Sequence, residues 1–117
     1  MNETTFHQDL KSYIDRFVHD AYRVSRSFPK EEVYSATSQF RRAAMSVALN
    51  YVEGYARGRD KVHKNFLEIS YGSLKESRYL IEFSRVEKWI PEEDAIKLQE
   101  VADKIGAMLW STIRQME

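Results

Sequence analysis

Six cationic side chains, Arg41, Arg42, Arg57, Arg59, Lys61 and Lys64, stand out as groups that could do chemistry. Guanidinium and ammonium groups held on helix ends meet phosphate oxygens and gain affinity from the counterions they release. The formal net charge is zero, which argues against a generally basic, histone-like protein, but the charge is unevenly spread. From Arg23 to Lys64 there are nine basic residues against four acidic ones, and the remainder carries nine against fourteen. A cationic middle between acidic flanks predicts a polyanion as partner. The alternative is a solvated turn with local ion pairs, such as Arg57 with Glu53 at i, i+4. Arg41 and Arg42 are neighbours, about 100° apart on a helix, so at least one must face away from the core.

A second polar set, Ser46, Asn50 and Glu53 with Ser73 and Glu76 opposite, runs beside an apolar seam. Buried polar groups need partners, so these predict a network that fixes the register of two helices, or else a recognition pocket. Catalytic and metal chemistry finds no footing. There is no cysteine for thiolate, zinc or disulfide chemistry, and no Glu-x-x-His of the kind a di-iron bundle needs. His7, His19 and His63 are scattered and read as surface histidines, and Gly54-x-x-x-Gly58 lacks the Lys-Ser/Thr ending of a phosphate loop. The expectation is a protein that is not an enzyme and has no cofactor.

Helices must position these groups. Phe6, Leu10, Tyr13, Ile14, Phe17, Val18, Ala21 and Val24 recur at spacings of three and four, predicting a helix from about residue 5 to 25. Pro29 then suits the first turn of a second helix, with Glu31 and Glu32 at its positive end and Val33, Ala36 or Thr37, Phe40, Ala43 or Ala44, Val47, Asn50 or Tyr51 and Gly54 along its seam. Gly58 should end that helix in the left-handed conformation and Asp60 cap the next. Phe66, Ile69, Ser70, Ser73, Leu74, Ser77, Leu80, Ile81 and Ser84 predict a third helix to about Lys88. Gly72 within it predicts a close approach by Ala43 or Ala44. Pro91 opens a fourth helix, marked by Ile96 or Leu98, Val101 or Ala102, Ile105, Met108 or Leu109, Thr112 and Met116.

Such helices joined by short links predict an all-α, up-down-up-down antiparallel four-helix bundle, one domain over residues 1–117. No stretch approaches the roughly 18 apolar residues of a membrane span, so no membrane partner is expected and the cytoplasm is the default location. Tyr13, Tyr22, Tyr34, Tyr51, Tyr55, Tyr71 and Tyr79, with Trp89 and Trp110, exceed what one slim core needs, which predicts that some rings lie at contacts between subunits; the alternative is tyrosines half-exposed on a monomer.

The stretch Ser38-Gln-Phe-Arg-Arg-Ala-Ala-Met-Ser-Val-Ala-Leu-Asn-Tyr-Val-Glu-Gly-Tyr-Ala-Arg57, preceded by Phe28-Pro-Lys-Glu-Glu32, resembles the signature of four-helix proteins encoded in intervening sequences of 23S ribosomal RNA genes. Lys64-Asn-Phe-Leu-Glu-Ile-Ser-Tyr-Gly-Ser-Leu-Lys-Glu76 resembles the third helix of that family. The likeness is specific over residues 27–85 and looser in the terminal helices. The same family includes the accessory variability proteins of diversity-generating retroelements. The resemblance implies a homopentameric ring with a basic surface, RNA or DNA as ligand, and a reverse transcriptase as a protein partner. Ala48 stands where the family usually has proline, which implies a weaker kink in the second helix. The function expected is therefore non-catalytic binding of nucleic acid or of a ribonucleoprotein partner. The alternative is a protein–protein adaptor or scaffold without nucleic acid.

Overall fold

A computed structural model describes the backbone of residues 3–58 and 60–117, and their side chains apart from Glu3, Thr4 and Asp60. Helix α1 spans Glu3–Ser25, α2 Ala36–Arg57, α3 Asp60–Val86 and α4 Glu92–Gln115. Each packs on the two helices beside it in the ring α1–α2–α3–α4, which makes a four-helix bundle of alternating direction. One end of the bundle holds the α1–α2 and α3–α4 corners. The other holds the α2–α3 turn and the far ends of α1 and α4.

The inward stripe of α1 is the predicted one: Leu10, Ile14, Phe17 and Ala21 are fully buried, with Val18 and Val24 beside them. Each large side chain so buried contributes about 1.5–3 kcal/mol. The chain then turns a corner through hydrogen bonds from the Ser27 N–H to Val24 O (3.1 Å) and from the Phe28 N–H to Ser25 O (3.1 Å). Phe28 fills the corner, stacked on Phe40 of α2 at 5.8 Å and leaning on Trp89 at 5.1 Å. The Ser27 hydroxyl lies 2.8 Å from Trp89 O and ties this corner to the α3–α4 corner.

The second helix begins later than the sequence predicts. Pro29 opens only a short 3-10 turn, Lys30–Glu32, and α2 starts at Ala36, so Val33 is half exposed outside the seam. Val33, Tyr34 and Ser35 are weak helix formers, and sinking Phe28 into the corner requires the chain to bend again before α2 can lie along α1. From there Thr37, Phe40, Ala43, Ala44, Val47, Tyr51 and Gly54 face inward at three-and-four spacing. The helix runs without interruption through Ala48 and stops at Gly58, whose φ of 70° is the left-handed cap expected of it.

In α3 the buried stripe is Leu67, Ser70, Leu74, Ser77, Ile81 and Ser84, whereas Ile69 is exposed and Phe66 and Leu80 are half-buried. The buried serines are satisfied, because each hydroxyl finds a carbonyl: Ser70 reaches Val47 O across the interface at 2.7 Å, Ser77 reaches Ser73 O at 2.9 Å and Ser84 reaches Leu80 O at 2.7 Å. Small hydroxylated residues let α2 lie close. The glycine that this approach requires is Gly54, not Gly72. A Cβ on Gly54 would stand 3.0 Å from His63 Cδ2 and 3.2 Å from Phe66 Cβ, while one on Gly72 would meet nothing within 4 Å.

Lys88, at a φ of 61°, reverses the chain after α3, and extended Pro91 leads into α4. Ala95, Leu98, Val101, Ala102, Ile105, Leu109, Thr112 and Ile113 complete the core, and Ile96 lies outside it. Among the described residues no helix is long and apolar enough to cross a membrane.

Candidate nucleic-acid interface

The six predicted cations do not form one surface. Arg41 and Arg42 lie in the second turn of α2, by the α1–α2 corner, while Arg57 ends that helix and Lys61 and Lys64 begin α3. At 1.5 Å per residue, Arg41 and Arg57 are about 24 Å apart along the helix. Arg59 lies outside the described residues, and so does the side chain of Asp60, the predicted cap.

At the α2–α3 turn the protein supplies its own carboxylates. Arg57 Nη2 is 2.8 Å from Glu53 Oε1, and its guanidinium lies 5.8 Å from the Phe66 ring. Lys64 Nζ is 3.9 Å from Glu117 Oε1 of α4's trailing end. Lys61 is exposed and joins no ion pair among the described residues.

The corner is different. Arg41 is half-buried, and what holds it is neutral: its Nε donates to Ser25 Oγ at 2.8 Å, and its guanidinium sits 5.0 Å over the Tyr22 ring. Ser25 is itself buried and donates to Tyr22 O at 3.0 Å, so its oxygen is left to accept from Arg41. Arg42 beside it is exposed and unpaired among the described residues. Arg26 and Lys30, which sequence reasoning counted in the basic stretch but not in the site, are brought here by the corner and are likewise exposed and unpaired. A cleft of roughly 350 Å³ opens between α1, the 3-10 turn and α2, lined by Arg26, Lys30 and Arg41 with Ser25 and Thr37. Phe28, Pro29 and Val33 give it an apolar wall. Across the same end, Arg85 is clamped by Glu82 at 2.8 Å and Glu92 at 3.3 Å. The hydrogen bond from Arg85 holds the Glu82 carboxyl below its usual range. On that side Lys88 is the exposed cation without a carboxylate partner among the described residues, against Arg26, Lys30 and Arg42 on the α1–α2 side.

Of the polar set, Ser46, Asn50 and Ser73 come together. Asn50 Nδ2 donates to Ser46 Oγ at 2.9 Å, and Ser46 Oγ lies 2.7 Å from Ser73 Oγ across the α2–α3 seam. Glu53 turns instead to Arg57, and Glu76 is exposed, accepting from Gln39 at 3.4 Å. The three-residue link crosses the α2–α3 seam.

The histidines depart from expectation. His19 is exposed, His7 is half-buried and His63 is buried, because α2 and α3 close over it at Gly54. Tyr55 stands between the two, 4.6 Å from the His7 ring and 4.1 Å from that of His63, with its hydroxyl hydrogen-bonded to His7. Tyr51 lies beneath, and burial pushes its hydroxyl pKa well up, helped by the neighbouring Tyr55. Among the described residues no group of three or more acidic or histidine side chains is gathered to hold a metal ion.

The family model of the 23S rRNA-intervening sequence protein matches residues 10–111. The chain belongs to that family. The match reaches into all four helices and includes both corners and the α2–α3 turn, beyond the central stretch where the resemblance is sharpest. Among solved structures, a protein of unknown function from the S23 ribosomal protein family of Bacteroides thetaiotaomicron VPI-5482 superposes with a TM-score of 0.82 at 18% identity. The alignment covers 89% of this chain and 97% of that one, a likeness of fold. No curated protein matches the sequence.

Proposed function

We propose that this intervening-sequence family protein is a non-catalytic, self-associating protein that binds RNA through the phosphates. The observation that carries the reading is the group Arg26, Lys30, Arg41 and Arg42 at the α1–α2 corner, none of which has a carboxylate partner among the described residues. Cations that the fold leaves unneutralised are free to displace counterions from a polyanion. The interface therefore centres on the corner, with Lys61 a subsidiary contact at the far end.

Self-association is supported by a second stripe on the outer faces of the central hairpin. Arg42, Met45, Leu49, Val52 and Ala56 of α2 follow one another at spacings of three and four, as do Ile69, Gly72, Glu76, Tyr79, Phe83 and Val86 of α3. Leu49 is 60% exposed and Tyr79 70%, more apolar surface than two helices need toward water. A homopentamer, as the resemblance implies, would repeat the cation group around a ring, and a reverse transcriptase is the protein partner it implies. The same stripe favours the second reading, a protein–protein adaptor, and salt separates the two. Filter binding with RNA should show retention at low salt that falls steeply as salt rises. Binding of a protein partner indifferent to salt, with no RNA retained, supports the adaptor and removes the leading proposal. Light scattering checks the assembly; a monomer at all concentrations removes self-association.

A further inference from the structure

We infer that the corner cleft seats the terminal phosphomonoester of a nucleic-acid strand, an assignment that rests on the nucleic-acid reading and narrows it. Arg41 is the first reason. Its Nε is committed to Ser25 and one Nη2 hydrogen points at Tyr22 O, a long contact of 3.5 Å, which leaves both Nη1 hydrogens and the other Nη2 hydrogen available. Ser25 and the Tyr22 ring fix the head of this half-buried side chain while leaving its charge uncompensated. A pre-oriented guanidinium fork matches the oxygens of a phosphate.

Charge is the second reason. Arg26 and Lys30 join Arg41 around the cleft, and the neighbouring carboxylates of Glu31 and Glu32 do not line it; Glu32 accepts from the Ser35 hydroxyl at 2.7 Å. A phosphomonoester carries about −1.5 to −2 at pH 7 and three terminal oxygens, against a single charge and two free oxygens on a backbone diester. Three cations suit the former better. Shape is the third. A diester inside a strand drags a nucleotide in on either side, whereas a strand end brings one, for which the Pro29 and Val33 wall supplies an apolar rest. The cleft, at roughly 350 Å³, is at the lower end of ordinary ligand-site volumes and holds far more than a water.

The test is fluorescence anisotropy with one short single strand prepared in three forms: 5′-phosphate, 3′-phosphate and hydroxyl at both ends. A phosphate-ended strand should bind at least about tenfold tighter than the hydroxyl-ended one, and the favoured form names the end recognised. A nucleoside monophosphate should compete. Arg41→Gln should abolish the preference. Because that change also removes the bond to Ser25, the exposed double variant Arg26→Gln/Lys30→Gln is the control, and it should reduce the preference with the fold intact. Equal binding of all three forms by the wild-type protein overturns the inference while leaving salt-sensitive RNA binding standing. Failure of every form to bind overturns both.

Discussion

The two ends of the bundle draw on one basic stretch of sequence and treat it oppositely. At the α2–α3 turn, Arg57 finds Glu53 one helical turn back and Lys64 finds Glu117 of the last residues. At the α1–α2 corner, Arg41 has Thr37, Ser38, Ala44 and Met45 at the positions three and four away, and Arg26 has Tyr22, Arg23, Pro29 and Lys30. No carboxylate is within helical reach. A charge surplus along the chain is therefore not a surface surplus; what counts is whether an acid stands at i±3 or i±4, or across a seam. Among the described residues the corner keeps Arg26, Lys30, Arg41 and Arg42 without a carboxylate partner, and the turn keeps Lys61.

The comparison can be broken most severely through packing. Phe40→Ala removes the ring on which Phe28 stacks and should cost about 3–5 kcal/mol in denaturant unfolding. It should also abolish RNA binding, since the corner holds Arg26 and Lys30 in place; binding that survives would detach the cations from the corner's geometry. The turn end is sharpened by its glycine. Gly54→Ala presses a methyl against His63 and Phe66 and should cost about 1–3 kcal/mol, whereas Gly72→Ala, with open space around it, should gain up to about 1 kcal/mol in thermal unfolding. Equal effects at the two positions would contradict the close approach of α2 and α3 at Gly54. The smallest effect is the most pointed. Glu53→Gln releases Arg57 at a stability cost of no more than about 0.5 kcal/mol and should strengthen RNA binding slightly, by making the turn end resemble the corner.

Alkali offers an independent check on the buried ring at the turn end. Because burial raises the Tyr51 hydroxyl pKa, the folded protein keeps it neutral where the unfolded chain ionises. That contribution to stability is complete below the ordinary tyrosine pKa, about 10, and is lost progressively as pH rises above it. Tyr51→Phe should unfold later at high pH than the wild type, and an unchanged alkaline limb would contradict the burial.

Much of the architecture is legible in the residues, because spacing of three and four is a direct record of which face is buried. Phe17 of α1, Phe40 and Val47 of α2, Leu74 of α3 and Ile105 of α4 all lie where periodicity puts them. Gly58 and Pro91 mark their boundaries through backbone geometry that few other residues share. What misleads is the corner and the serine-rich seam. Pro29 is compatible both with a long helix and with a single 3-10 turn, and the choice is made by Phe28, a tertiary contact invisible in local pattern. Ile69 and Leu67 are both large and apolar, and it is in the packing of α3 on its neighbours, with Ser70 reaching Val47 O, that Leu67 rather than Ile69 faces inward. The candidate site is half legible for the same reason: cations can be counted in sequence, but Arg26 and Lys30 join Arg41 only once the corner folds.

The most direct measurement is the slope of log affinity against log salt for RNA binding, compared between Arg26→Gln/Lys30→Gln/Arg42→Gln at the corner and Arg57→Gln/Lys64→Gln at the turn. Each phosphate contact removed should lower the slope by about 0.7–0.9, so the corner variant should lose roughly two to three units and the turn variant almost none. Equal losses at both ends, or a larger loss at the turn, would contradict the account.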